Sequence, residues 1–388
     1  MRKAQTIDKI QFGKGIKVPR RILLVSRHDY RTNWRANFHP IADGFAAQGN
    51  EVAFFSIGFS PLSRVSKDNR RSIRNRVNRW ERVDGIDCYL WSTPFHPIGL
   101  GRPHLDRLAR PLYNLFASLP NRALDEAAAG ADLILVESGL SPVLLPRLRR
   151  HGRHASIVYV ASDLFATIGA PVIMDDILAA GAEAIDTVVV VARAMAPHFR
   201  HLGRPIRFVP HGLDPTVFAS DGPSPYGPGR HVVTVGSMLF DPTVFTAAAT
   251  AFPDVSFHLI GTPKGPSYPG NVYEYGPMPF AKTIPWLRYA DAGVAPYRRG
   301  ESAEYLSDSS MKLMQYDYLG LPAICPSFAV GTSPLRFGYQ PGDDASVTTA
   351  VGRALDPTVL RRPVPTLTWV DIAKRLAAPE SFADTRIE

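Results

Sequence analysis

Two cysteines, Cys88 and Cys325, are all the thiol chemistry the chain contains, and they stand in separate regions without metal-type spacing. That excludes a disulfide framework and a cysteine-based zinc site, and fits an intracellular protein. No apolar run reaches the length of a membrane-spanning helix, and the basic N-terminus, MRKAQTIDKIQFGKGIKVPRR, has no apolar core of signal-peptide length. The turn after the first apolar strand, SRHDYRTN, lacks G-x-G-x-x-G, so this half is not expected to hold a dinucleotide cofactor. No acidic metal motif stands out either.

Acidic residues are also short relative to basic ones: 35 Asp and Glu against 44 Lys and Arg give a formal charge of +9. An anionic partner is therefore expected, whether phosphorylated substrate, lipid surface or nucleic acid. Arg64 to Trp80 holds seven basic residues against one acid, with Ile73, Val77 and Trp80 as a partial apolar stripe that could lie on an anionic membrane. His104 to Pro120 likewise sets Arg107 and Arg110 beside Leu105, Leu108, Leu112, Leu115 and Phe116. A pair of ordinary amphipathic helices packed on a core is the alternative, and for the second segment it weighs equally. Nucleic acid is the weaker reading, because aromatic residues are not interleaved with the basic run.

With 388 residues and 45% hydrophobic content, the chain exceeds one ordinary core. Apolar strands at Arg21–Val25, Glu51–Ile57, Gly85–Trp91, Ala131–Glu137, Ser156–Val160 and Thr187–Val191 alternate with helical sequence. A Pro- and Gly-rich stretch, 221–229, precedes a second series at Val232–Val235, Ser256–Ile260, Val272–Tyr275, Ala292–Ala295 and Ala323–Cys325. This pattern predicts an α/β protein of two Rossmann-like, doubly wound domains facing a cleft. The expected division is 1–215, 216–360 and a final segment 361–388 whose helix crosses back to the first domain.

Open α/β sheets bind ligands beyond the carboxyl ends of their strands. There Asp163 is either a general base for a substrate hydroxyl or the N-cap of a following helix. His28, Asp29 and Arg31 would face the same cleft. In the second half, Gly236-Ser-Met238 is either a ligand loop or a tight turn with Met238 as core filler, and Tyr297, Arg298 and Arg299 lie near Asp308-Ser309-Ser310-Met311-Lys312. Three N-cap residues followed by a first-turn lysine suggest a helix N-terminus that receives an anion; a solvated surface lysine is the plainer alternative.

GSMLFDP (Gly236 to Pro242), DSSMKLMQYDYLGLPAICP (Asp308 to Pro326) and RFGYQPGDDASV (Arg336 to Val347) resemble the xanthan-type, GumK-like glucuronosyltransferase family. So do SRHDYRTNWRANFH (Ser26 to His39), YVASDLFATI (Tyr159 to Ile168) and HGLDP (His211 to Pro215), and the resemblance runs from about Arg21 to the terminal segment. It implies a GT-B fold and inverting transfer of glucuronic acid from UDP-glucuronate to a polyprenyl-diphosphate-linked oligosaccharide in exopolysaccharide biosynthesis. The enzyme would sit peripherally on the cytoplasmic face of the inner membrane and need no cofactor or metal. Carried over by position, Asp163 is the catalytic base. Met238, Tyr297, Met311, Lys312 and Gln315 contact the UDP-sugar, and Lys312 with the N–H groups of Ser309 and Ser310 at the helix start is expected to stabilise the departing diphosphate.

Two departures stand out. Pro277 stands where the family has a ribose-binding glutamate, leaving Glu274 or a backbone group to replace it. Arg298 and Arg299 have no counterparts in the family's loop and are assigned to a donor carboxylate. A GT-B transferase using a different UDP-sugar is the alternative, since fold does not set the donor.

Overall fold

Ile22, Leu23, Leu24 and Val25 form an unbroken apolar run, which suits a strand covered on both faces. In the computed structural model, which describes residues 21–387 apart from 66–67, 100–101, 220–221 and 301–302, that run lies at the centre of a sheet. The first sheet contains β1 (Arg21–Ser26), β2 (Glu51–Phe59), β3 (Trp80–Val83), β4 (Ile86–Ser92), β5 (Leu133–Glu137), β6 (Ser156–Ala161), β7 (Thr187–Val190) and β8 (Ile206–Phe208). Their spatial order is β3-β4-β2-β1-β5-β6-β7-β8. All pairings are parallel except β3 with β4. Leu23 and Val25 face one apolar layer, and Ile22 and Leu24 the other.

The second sheet contains β9 (Arg230–Val235), β10 (Val255–Ile260), β11 (Val272–Tyr275), β12 (Ala292–Val294), β13 (Ala323–Pro326) and β14 (Arg336–Tyr339). It is parallel throughout, in the order β11-β10-β9-β12-β13-β14, and again has separate apolar layers on its two faces. In each sheet the winding reverses beside the first strand, between β1 and β5 and between β9 and β12. Such reversals open a crevice at the carboxyl ends of the strands.

The helix Trp369–Ala377 is capped by Thr368 and Asp371 and packs Ile372, Ala373 and Leu376 among Phe38, Ile41 and Phe45 of the first half. Just before it, Leu213 and Thr368 pair as a parallel bridge, so outgoing and returning chain run side by side.

The basic stretch 64–80 is not a helix with an apolar stripe. Among its described residues, Asn69–Ile73 is a 3-10 turn, Val77 bridges to Leu90, and Trp80 opens β3. Arg70 is buried against Asp68 at 2.7 Å, and Arg76 pairs with Glu81. Two of its arginines are thus spent on ion pairs, while Arg71, Arg74 and Arg79 stay exposed. The second segment folds as Pro103–Leu108 and Arg110–Ser118, burying Tyr113 and Phe116 while Leu108, Leu112 and Leu115 stay exposed.

Candidate functional site

A cavity of about 900 Å³ opens at the winding reversal of the first sheet, lined by residues that include Arg27, His28, Arg70, His96, Glu137 and Asp163. Arg27 and His28 follow β1, Glu137 ends β5, and Asp163 follows β6, so three adjacent strands deliver these groups to one place. Asp163 does not cap a helix: the chain turns through Phe165–Gly169, and the next helix begins at Ile173. Among the described residues its carboxylate has no hydrogen-bond or ion-pair partner. Burial raises its pKa to about 6. A carboxylate without a partner, poised near neutrality and open to a cavity, is equipped to take a proton.

Glu137 lies deeper. Burial pushes it up to about 8, against the opposing effect of a hydrogen bond from Ser26, with Asp163 adding to the rise. It is therefore neutral near pH 7, while Asp163 is largely ionised. Sequence reading passed over Glu137 because it ends an ordinary apolar strand; its place beside the reversal was the available signal.

His28 faces the cavity, and burial, followed by His39, lowers its pKa to about 4. Asp29 and Arg31 do not face it. They form a buried pair at 2.9 Å, and Arg31 also bonds the Arg76 carbonyl and Glu81. Their loop needs that pair to bury its charges, which consumes the groups expected to meet an acceptor.

In the second half, the sequence read as one helix from Asp308 is broken at Ser310. A short turn, Leu306–Ser309, precedes the helix Met311–Leu319, which ends at Gly320 in the left-handed conformation, φ 65°. Ser310 is the N-cap, its hydroxyl accepting from the Leu313 N–H at 3.2 Å and bonding the Tyr297 hydroxyl at 2.6 Å. The Ser310 N–H is already donated to the Leu306 carbonyl, so it is not free for a ligand as expected. The Ser309 hydroxyl likewise bonds the Tyr305 carbonyl. The first-turn N–H groups of Met311 and Lys312 remain directed outward.

Lys312 reaches back across the crevice: its Nζ donates to Thr234 Oγ1 at 3.3 Å and stands 5.5 Å above the Tyr297 ring. Burial lowers its pKa to about 7, with no carboxylate partner among the described residues. Tyr297 is itself fully buried, so it shapes this pocket through its ring rather than through a free hydroxyl. Met311 partly packs beside Leu213, Phe218 and Met314, and Gln315 is half-buried one turn from Met311.

Met238 is 54% exposed and hence no core filler. Its loop turns at Gly236, φ 91°, a conformation that suits glycine, and is stitched to the next strand's loop by Arg298 N–H to Leu239 carbonyl at 2.7 Å. Arg298 and Arg299 are exposed, the latter 5.8 Å from the Phe328 ring. Pro277 lies beside Gly261. Glu274 is exposed and turns toward the Gly265 N–H, so no carboxylate is delivered where Pro277 stands.

The two halves meet at this segment. Asp308 accepts from the Arg193 N–H at 2.9 Å, just beyond β7, and Tyr305 packs into the first half's apolar layer. Because β7 neighbours β6, this contact holds the turn before the Lys312 helix at the strand end next to the one that carries Asp163.

A family profile described as "Glucuronosyltransferase GumK, N-terminal domain" matches residues 24–191. The chain is 39% identical over 368 residues to a UDP-glucuronate:glycolipid 2-beta-glucuronosyltransferase of Xanthomonas campestris pv. campestris, covering 94% of this chain and 91% of that one. Among solved structures, the N-terminal domain of trehalose-6-phosphate phosphatase from Candida albicans superposes with a TM-score of 0.50 at 15% identity, over 95% of this chain and 94% of that one. That likeness concerns the fold alone. An alpha,alpha-trehalose-phosphate synthase (UDP-forming) from Burkholderia xenovorans gives a TM-score of 0.49 at 12% identity, over 94% and 97% of the two chains.

Proposed function

The chain belongs to the GumK-type glucuronosyltransferases, with the two-domain GT-B fold, and from that premise we propose that it moves glucuronic acid from UDP-glucuronate to a hydroxyl of a lipid-linked oligosaccharide. The observation that supports the reading is an unpartnered carboxylate, Asp163, on the wall of the first half's cavity, together with a half-buried lysine, Lys312, in the first turn of a helix whose preceding turn contacts the first half through Asp308.

In this mechanism Asp163 takes the proton of the acceptor hydroxyl as its oxygen attacks the anomeric carbon. The bond from that carbon to the diphosphate oxygen breaks on the opposite face, and UDP leaves with the electron pair. The configuration therefore inverts. Lys312 and the N–H groups of Met311 and Lys312 meet the negative charge that develops on the diphosphate. That supplies the neutralisation a divalent cation would otherwise give, and no metal is assigned a step. Met238 lies on the base, Tyr297 and Gln315 bound the pocket, and Arg298 and Arg299 recognise the donor carboxylate. Closure of the cleft aligns the two halves.

No helix among the described residues is long and apolar enough to cross a membrane. Exposed Leu108, Leu112 and Leu115 beside Arg110 support peripheral binding to an anionic leaflet, assigned to the cytoplasmic face of the inner membrane. Incubation with radiolabelled UDP-glucuronate and a lipid extract of the native cell is expected to place label in the lipid fraction. Label delivered from another UDP-sugar, and not from UDP-glucuronate, would replace the donor assignment.

A further inference from the structure

We propose that Arg27 binds an oxyanion carried by the acceptor, at the junction between the cavity holding Asp163 and a smaller apolar cavity beside it. This rests on reading the Asp163 cavity as the acceptor site.

Arg27 has a fixed backbone and an uncommitted side chain. Its N–H is donated to the Glu137 carboxyl, and its carbonyl accepts from Arg70 Nη1 at 2.7 Å. Among the described residues, nothing accepts a hydrogen bond from its guanidinium or pairs with it. Arg70, the neighbouring cation, is different: its donors go to Asp68, the Arg27 and Ile57 carbonyls, and the Gly58 carbonyl. Asp68, the one nearby carboxylate acting on Arg27, is thereby committed to Arg70.

The remaining groups do not balance the charge. Burial lowers His28 and His96 to about 4, leaving both neutral at pH 7. Glu137, held up at about 8, is neutral there as well. Asp163 ionises, but the transfer consumes that charge as the acceptor proton arrives. Arg27 accordingly stands as an uncompensated cation on the cavity wall, still exposed to solvent, and partial desolvation together with the Arg70 charge lowers its pKa. An arriving oxyanion would relieve that and accept the planar fork in bidentate fashion.

The position narrows the ligand further. Arg27, His96, Ile98, Gly139 and Ile168 line both the large cavity and an adjoining one of about 200 Å³. The smaller is walled by Pro97, Tyr113, Leu140 and Met174, and Tyr113 belongs to the helix Arg110–Ser118 that exposes Leu112 and Leu115 on another face. An anion at Arg27 would therefore have sugar on one side and apolar chain on the other. A phosphoryl group at the sugar-lipid junction and a carboxylate on the saccharide share this chemistry.

The test uses the full chain, its Arg27→Gln and Arg27→Lys variants, and four probes: decyl phosphate, decyl glucuronide, decyl glucoside and inorganic phosphate. Binding is read by calorimetry, with UDP affinity as the control for folding. Wild type should bind one charged alkyl probe roughly 10- to 100-fold tighter than decyl glucoside, the range of a charge-assisted hydrogen bond. Arg27→Gln should erase that preference and Arg27→Lys keep part of it. The phosphate or the glucuronide being favoured identifies the source of the oxyanion. No preference for charge in wild type, an undiminished preference in Arg27→Gln, or inorganic phosphate binding as tightly as decyl phosphate would overturn the assignment. These measurements need no turnover, so a failure of glucuronate transfer would sink the proposed reaction while leaving them intact.

Discussion

Asp163 and Glu137 end neighbouring strands and share one cavity, yet their depths separate their pKa values to about 6 and about 8. The shallower group can be a base at neutral pH while the deeper one keeps its proton. Asp163→Asn should lower transfer roughly 10²- to 10⁴-fold, the span of general-base catalysis, with UDP affinity kept. Turnover near wild type would remove the base assignment. The pH dependence has a definite sign. Asp163 must be ionised, so kcat/KM gains as pH rises through about 6; Lys312 must be protonated, so it falls as pH rises through about 7. A narrow bell between those limbs is expected in the free-enzyme parameter, and a flat profile from pH 5 to about 9 would contradict it. Asp163 and Lys312 were legible in sequence because each follows a recognisable strand or cap. The sealing of Asp29 by Arg31 was not, since Arg31 also reaches Glu81, 50 positions away.

At the scale of elements, the helix Met311–Leu319 depends on its cap. Ser310 leaves the helical conformation at φ −69°, ψ 107°, bonds Leu313, and satisfies a buried tyrosine hydroxyl. Ser310→Ala should cost about 1 kcal/mol for the cap and roughly 1–3 kcal/mol for the orphaned hydroxyl. Urea unfolding measures the sum, and KM for UDP-glucuronate should rise as Lys312 loses its seat; an unchanged midpoint would refute this role. Sequence patterning found β1, β2 and β4 to β7 within a residue or two, since interior parallel strands are continuous apolar runs. It missed β3 and β14 for a physical reason. WERV and RFGY are short edge strands, half polar and, in β14, interrupted by glycine, so neither stands out from a loop.

Across the whole molecule, the formal +9 is not reduced by the ion pairs of arginines 31, 70, 76 and 336, because each removes one charge of each sign; what the pairs change is which arginines remain free at the surface. Charge counting cannot see pairing, which only the fold determines. The C-terminal return also acts at this scale. A Cβ on Gly44 would lie 2.4 Å from the Trp369 carbonyl oxygen, backbone that cannot step aside without moving the Trp369–Ala377 helix. Gly44→Val should therefore cost about 1–3 kcal/mol, as overpacking does. Gly227→Ala, where nothing lies within 4 Å, should be nearly silent in the same thermal melt. Equal melting temperatures for the two variants would show that the return helix does not help to hold the halves.

The bridge between Leu213 and Thr368 has a mechanical consequence. One strap between two bodies allows twist and swing alike, whereas two straps bonded to each other form a pinned seam. Relative motion is then confined mainly to rotation about that seam, and the Arg193–Asp308 contact is a further link between the halves. Opening to admit a nucleotide and shutting over it become a single swing, so that the same groups are returned to register at every turnover.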